Sequence, residues 1–140
     1  MPETKFVTLK VTENQLRYIM HSLECHFRLT MGQAWDLADE LCEQNTDWRQ
    51  SDNYCERRDT VRNTIERVIR DVAFEGDTTR GYKTPRTQAE IDLWSAIRHW
   101  FWSQLPPDQR GDGVDSYPPM QLGEEPLPCI AASAEDSKEK

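Results

Sequence analysis

This chain of 140 residues predicts a mainly α fold of the α+β kind, with a small amount of antiparallel strand. Three observations carry that expectation. Three stretches repeat apolar residues at steps of three and four, the period of a helix with one buried stripe. One short stretch before them alternates at every second residue, the period of a half-buried strand. A glycine- and proline-rich stretch after them is too apolar for a free tail and too broken for a helix. The expected architecture is three helices, the first long, with strand contributed by the N-terminal segment and by the extended C-terminal one. Residues 1–130 read as one helix-rich domain and residues 131–140 as a disordered, charged tail.

The elements follow in order. From Lys5 to Val11, Val7, Leu9 and Val11 fall on one side and Phe6, Thr8 and Lys10 on the other. A lone strand is not stable, so its partner must lie elsewhere. Thr12 to Gln44 is the long helix, with a stripe of Leu16, Ile19, Met20, Leu23, Phe27, Met31, Ala34, Trp35, Ala38, Leu41 and Cys42. Thr12 and Gln15 form a capping box at its start. Uninterrupted, it would be a rod of about 50 Å at a rise of roughly 1.5 Å per residue. It must therefore bend at Gly32 or have part of its stripe covered by another protomer. A loop, 45–53, places Ser51 or Asp52 to cap a second helix, about Tyr54 to Phe74, whose stripe is Val61, Ile65, Val68, Ile69 and Val72. Gly76 to Thr84 is turn-rich, and Pro85 biases the residue before it away from helix. Thr87 and Glu90 form a second capping box, opening a third helix with Ile91, Trp94, Ile97, Phe101 and Leu105 in its stripe; Pro106-Pro107 stops it. Gly111 to Ile130 reads as an ordered extended segment over the helices that pairs with the first strand.

The formal charge of −8 disfavours a partner made of polymeric nucleic acid, which calls for a basic face. No signal-like or membrane-length apolar run occurs, so a cytoplasmic protein with no membrane partner is expected. Cys25, Cys42, Cys55 and Cys129 are scattered and read as reduced thiols. Every arginine, but of the lysines only Lys83, lies between residues 11 and 137. Arginine's planar fork suits phosphates and stacks on aromatic rings, and with five tryptophans this suits a pocket for a flat, phosphorylated ligand. A helix surface laced with ion pairs also accounts for most of these arginines.

Asp39-Glu40-x-x-Glu43 followed by Glu56-x-x-Asp59 resembles the acidic signature of the all-α, magnesium-dependent nucleotide pyrophosphohydrolases of the MazG type. Against it, Asp36, Glu40 and Glu43 share a face roughly 200° from the Ala34, Ala38, Leu41 stripe at about 100° per residue, which describes a solvated face. His21 and Cys25 have the i, i+4 spacing of a shared metal, but no second pair completes a ligand set. There is no nucleophile elbow and no phosphate-cradling glycine loop. The expectation is no enzyme, with no catalytic residue, metal or cofactor.

Four pieces stand in a definite order: Arg28-Leu29-x-x-Gly32-Gln33-x-Trp35; Asp92-Leu93-Trp94-x-x-Ile97-Arg98-His99; Gly113-Val114-Asp115-Ser116-Tyr117-Pro118-Pro119; and Glu125-Pro126-Leu127-Pro128-x-Ile130. Together they resemble the phage Thoeris anti-defence sponge family of the first-described type. The resemblance implies a homo-oligomer that binds a cyclic ADP-ribose isomer, and in some relatives cyclic oligonucleotides, inside an infected bacterial host and releases it unaltered. It departs from that family at Ala34-Trp35, where some relatives have phenylalanine, and at Ala89. On it, Arg28, Gln33, Trp35, Trp94, Arg98, His99, Ser116 and Tyr117 are the expected ligand-binding residues. Arg28, Gln33, Arg98 and His99 are polar groups in or beside apolar stripes, and buried polar groups need partners. Competing with a nucleotide sponge are the pyrophosphohydrolase and an acidic inhibitor that blocks a basic surface of a host defence complex by charge mimicry.

Overall fold

The long stripe after Thr12 is divided rather than bent. In the computed structural model, which describes residues 3–43, 53–77 and 84–133, α1 spans Glu13–Thr30 and α2 spans Trp35–Glu43. The Thr12/Gln15 capping box forms as expected. Gly32, with φ +84°, then ends the helix: its amide donates to Leu29 O and that of Gln33 to Arg28 O. That pair of bonds is a Schellman stop, which saturates the last carbonyls and re-aims the chain. The new helix begins under a distant cap, since the Ala34 amide donates to Glu66 Oε1 at 3.1 Å. The stripe changes phase at this corner. Ala34, Ala38 and Cys42 are buried, whereas Trp35 and Leu41 are exposed.

α3 spans Tyr54–Val68 and passes into a π-helical turn, Ile69–Ala73, so the second helix is not regular to Phe74. Ser51 and Asp52 lie outside the described residues; Asn53 occupies the cap position and its side chain does not cap the helix. The π turn brings the Phe74 ring against Gly32, where a Cβ would sit 3.3 Å from it. α4 spans Pro85–Gln104, earlier than the Thr87/Glu90 box implies. Thr84 is its cap and Pro85, whose missing N–H needs no partner there, its first residue. Thr87 is buried on Thr84 and Thr30 instead, and Glu90 is turned toward His26 and Arg86.

Four α-helices, not three, are thus present among the described residues, in two antiparallel pairs. α1 meets α4 through Arg17 over Phe101, His26 to Glu90, an edge-on Phe27–Trp94 contact with ring centroids 5.2 Å apart, and Thr30 to Thr87. α2 meets α3 through Asp39 to Tyr54, Trp35 under Arg58 and Arg62, and Ala34 to Glu66. No helix among the described residues is long and apolar enough to cross a membrane.

The strand content is not found: among the described residues there is no strand, and 5–11 does not pair with 111–130. A ladder needs free N–H and C=O groups on both partners, and the later segment is committed to α4 side chains. Its path, irregular apart from short 3-10 turns at Pro107–Gln109 and Val114–Ser116, is pinned at several points. Trp102 Nε1 donates to Gly111 O, Arg98 Nη2 to Val114 O, and both the Leu122 and Gly123 amides donate to the Asp92 carboxylate at 2.8 Å. Of the predicted tail, residues 134–140 lie outside the described residues.

Two stability predictions follow from these contacts. Gly32→Ala forces a side chain into a left-handed backbone and against Phe74, and is expected to cost about 1–2 kcal/mol in urea unfolding. Asp92, only 3 % exposed, holds two amides by charge-assisted bonds. Asp92→Ala is expected to cost about 2–3 kcal/mol and to open residues 111–130 to limited proteolysis.

Candidate functional site

The eight residues singled out in the sequence fall into two groups. At the α1–α2 corner, Arg28 Nη1 donates to Gln33 Oε1 at 3.0 Å, and the Arg28 guanidinium pairs with Glu24 and Asp36. Trp35, 39 % exposed, begins α2 there, with the Arg62 guanidinium 3.9 Å and that of Arg58 4.7 Å from its ring centre. Arg58 in turn meets Asp39 and Asp59, and Arg62 meets Glu66. Arg58 and Arg62 are neighbours of Trp35 that periodicity did not reveal. Their signal is an i, i+4 arginine pair on α3, and it acquires meaning only once α2 is laid against that helix.

The second group belongs to α4 and the segment after it. Arg98 stacks 4.1 Å over Trp94, donates to Val114 O, and has Nε 2.9 Å from Asp115 Oδ1. That last contact is ionic, because Nε is buried and lacks a hydrogen bond of proper geometry. His99 Nδ1 lies 3.0 Å from Asp115 O and its ring stacks on Trp102. Ser116 closes its own turn by donating to Gly113 O, and Tyr117 is exposed. The partners that Arg98 and His99 need are therefore supplied by the chain itself. These two residues reach the backbone of the segment, and Ser116 closes a turn within it.

A cleft of about 540 Å³ opens between α1 and α2, lined by Tyr18, His21, Ser22, Glu24 and Cys25 from one side and Asp36, Asp39, Glu40 and Glu43 from the other. The expected solvated acidic face is exposed at Glu40 and Glu43, while Asp36 is half-buried. The break at Gly32 folds α2 back so that this face looks across at α1. Its charge is crowded. Burial and the neighbouring Glu24 push the Asp36 carboxyl above the usual aspartate range, against the opposing pull of Arg28. Burial, then Glu40, Asp36 and Glu24, push the Cys25 thiol up as well. No group of three or more His, Cys, Asp or Glu side chains among the described residues is arranged to hold a metal ion. In this cleft His21 and Cys25 are neighbours without a completing ligand set.

Comparisons with protein-family models, curated proteins and solved structures find no match for this chain.

The crowding has a readable consequence. Asp36→Asn removes a negative charge beside Cys25, so its thiolate forms more readily and iodoacetamide labelling at fixed pH is expected to quicken, followed by peptide mass spectrometry. The same substitution tests linkage. Because folding raises the Asp36 pKa, the native state holds more protons than the unfolded one in a window just above the usual aspartate range, and stability there falls as pH rises. Asp36→Asn is expected to flatten that part of the melting-temperature profile.

Proposed function

We propose that the protein binds a nucleotide-derived signal and sequesters it without chemistry, as the resemblance to the phage Thoeris anti-defence sponges implies. It would do so in the cytoplasm of an infected bacterium, as a homo-oligomer. The observation that carries this reading is the Trp35 corner, where an exposed indole stands beside two guanidiniums with Arg28 and Gln33 close by. An indole face accepts a base by stacking, and arginine forks accept phosphates. The acids now paired with these arginines, Asp36, Asp39 and Glu66, hold them in place until a phosphate exchanges for a carboxylate. The α1–α2 cleft, by contrast, repels phosphates, so the ligand lies over Trp35 and not in that cavity. Arg98, His99 and Ser116 then act by fixing the C-terminal segment, and Tyr117 stands exposed on it.

Affinity of this kind is within reach. Nanomolar binding is about −12 kcal/mol, and a ligand of roughly 35 heavy atoms at about 0.3 kcal/mol each supplies some −10. Charge-assisted bonds cover the remainder.

The test is to incubate the purified protein with a mixture of cyclic ADP-ribose isomers and cyclic oligonucleotides, filter it, heat the retained fraction and weigh what is released. An unaltered nucleotide is expected. Trp35→Ala and Arg28→Ala should each weaken binding about ten- to a hundredfold, or roughly 1.5–3 kcal/mol, while Arg67→Ala changes it little. Retention of no nucleotide would sink the reading.

The gathering of Asp36, Asp39, Glu40 and Glu43 in one cleft favours a second reading, the magnesium-dependent pyrophosphohydrolase. Against it, Asp59 is paired with Arg58, and Glu56 does not line the cleft. Magnesium-dependent pyrophosphate release from a nucleoside triphosphate, abolished by Glu40→Gln with Glu56→Gln, would put it first.

A further inference from the structure

The segment before α1 has the pattern of a strand, and among the described residues no strand lies beside it. Glu3 to Lys10 are all exposed, with Phe6 at 80 %, Val7 at 93 % and Leu9 at 72 %. From Phe6 to Leu9 no backbone hydrogen bond is made among the described residues. Yet the alternation is regular: Val7, Leu9 and Val11 on one face, Phe6, Thr8 and Lys10 on the other. A stretch with this pattern and unsatisfied amides is a template for β-pairing with another chain.

We propose that this segment is a dimerisation strand, and that its partner is the same segment of a second copy, antiparallel about a two-fold axis through Leu9. The register follows from the side chains. An antiparallel pair centred on Leu9 sets Val7 opposite Val11, Leu9 opposite its own copy and Val11 opposite Val7, three apolar rungs on one face. The other face sets Thr8 opposite Lys10 and Phe6 opposite Thr12. Centring on Val7 instead puts Lys5 opposite Leu9, and centring on Thr8 puts Lys5 opposite Val11; both lose apolar rungs, the unit of sheet stabilisation. A two-fold contact needs a self-complementary patch, and this one is. Lys5 falls just beyond the last rung and Lys10 lies on the outer face, where lysines discourage further strands from adding.

The ribbon is seven residues long, about 23 Å at strand rise, well short of the roughly 800 Å² per partner of a standard interface. It therefore gives a concentration-dependent dimer. The proposal names the contact behind the homo-oligomer of the functional reading, but it rests on the strand pattern and does not require a nucleotide.

Cross-linking and sedimentation test it in the full chain. In a background of Cys55→Ser and Cys129→Ser, which removes the two exposed thiols, Leu9→Cys should form a disulfide-linked dimer at micromolar concentration under mild oxidation. Glu3→Cys, whose opposite position falls inside α1, should stay largely single-chain. Val7→Asp with Leu9→Asp should shift the sedimenting species from two chains to one and leave the helical circular dichroism unchanged. Equal cross-linking at Glu3 and Leu9, a parent that sediments as a single chain, or a double aspartate variant that still dimerises each overturns the proposal. So does a double variant that loses helix, because the segment would then be docked on its own body. A dimer that retains no nucleotide leaves this pairing standing and removes the nucleotide reading alone.

Discussion

Burial of α4 on two sides is the constraint from which the rest of the fold follows. One stripe, Thr87, Glu90, Trp94 and Phe101, meets α1. A second, Asp92, Arg98, His99 and Trp102, meets the segment from Gly111 to Gly123. Between them Ser95, Ala96 and Ile97 are buried. The first side is held by side chain against side chain, rings as well as the His26–Glu90 and Thr30–Thr87 pairs. The second is held by side chains gripping backbone amides and carbonyls, as a chain without regular structure requires, because its polar groups have no ladder of their own. Among the described residues few large apolar side chains are wholly enclosed, so these directed contacts help to define the native state.

The same economy governs the charges. The arginines of the Trp35 corner and Arg98 each have an acidic neighbour, and the acids of α2 that are not so matched face α1 across a cleft. Partly exposed pairs of this kind contribute little to stability and exchange readily for another anion. The corner presents guanidiniums, while the cleft, with its raised Asp36 carboxyl, presents carboxyl groups. Two surfaces of contrasting chemistry thus lie on either side of a nine-residue helix, α2.

Much of the local structure was legible in the residues. The Thr12/Gln15 box and the stop before Pro106 depend on neighbours a few positions apart, and both are present; the apolar periods mark the helices but not what they bury, since Val68, Val72 and Leu105 of the expected stripes are exposed. Gly32 was recognised as the weak point of the first helix, but not as its end. A Schellman stop depends on φ at one residue and on what packs there, and the neighbour that crowds Gly32 is Phe74. Thr87 shows the same limit from the other side. Its sequence context fits a cap, but Thr84 and Pro85 supply a better start, and the Thr87 hydroxyl is drawn into the contact with Thr30. The strand was legible as a period and not as a ladder, since a period is local and a partner is not.

For the candidate site the division is sharper. By itself the sequence determined that the chain is mainly helical, acidic and supplied with arginine and tryptophan, because composition and period are properties of short windows. Tertiary structure decided which polar residues are engaged by distant parts of the chain. Arg98 and His99 look unsatisfied beside an apolar stripe, but their partners are carbonyls and a carboxylate some distance along the chain. Arg58 and Arg62 look like surface decoration, but the turn at Gly32 sets Trp35 beneath them. Hydrogen-bonding and stacking partners are chosen by proximity in space, and in this chain proximity is set by one backward turn of the backbone and by a two-faced helix.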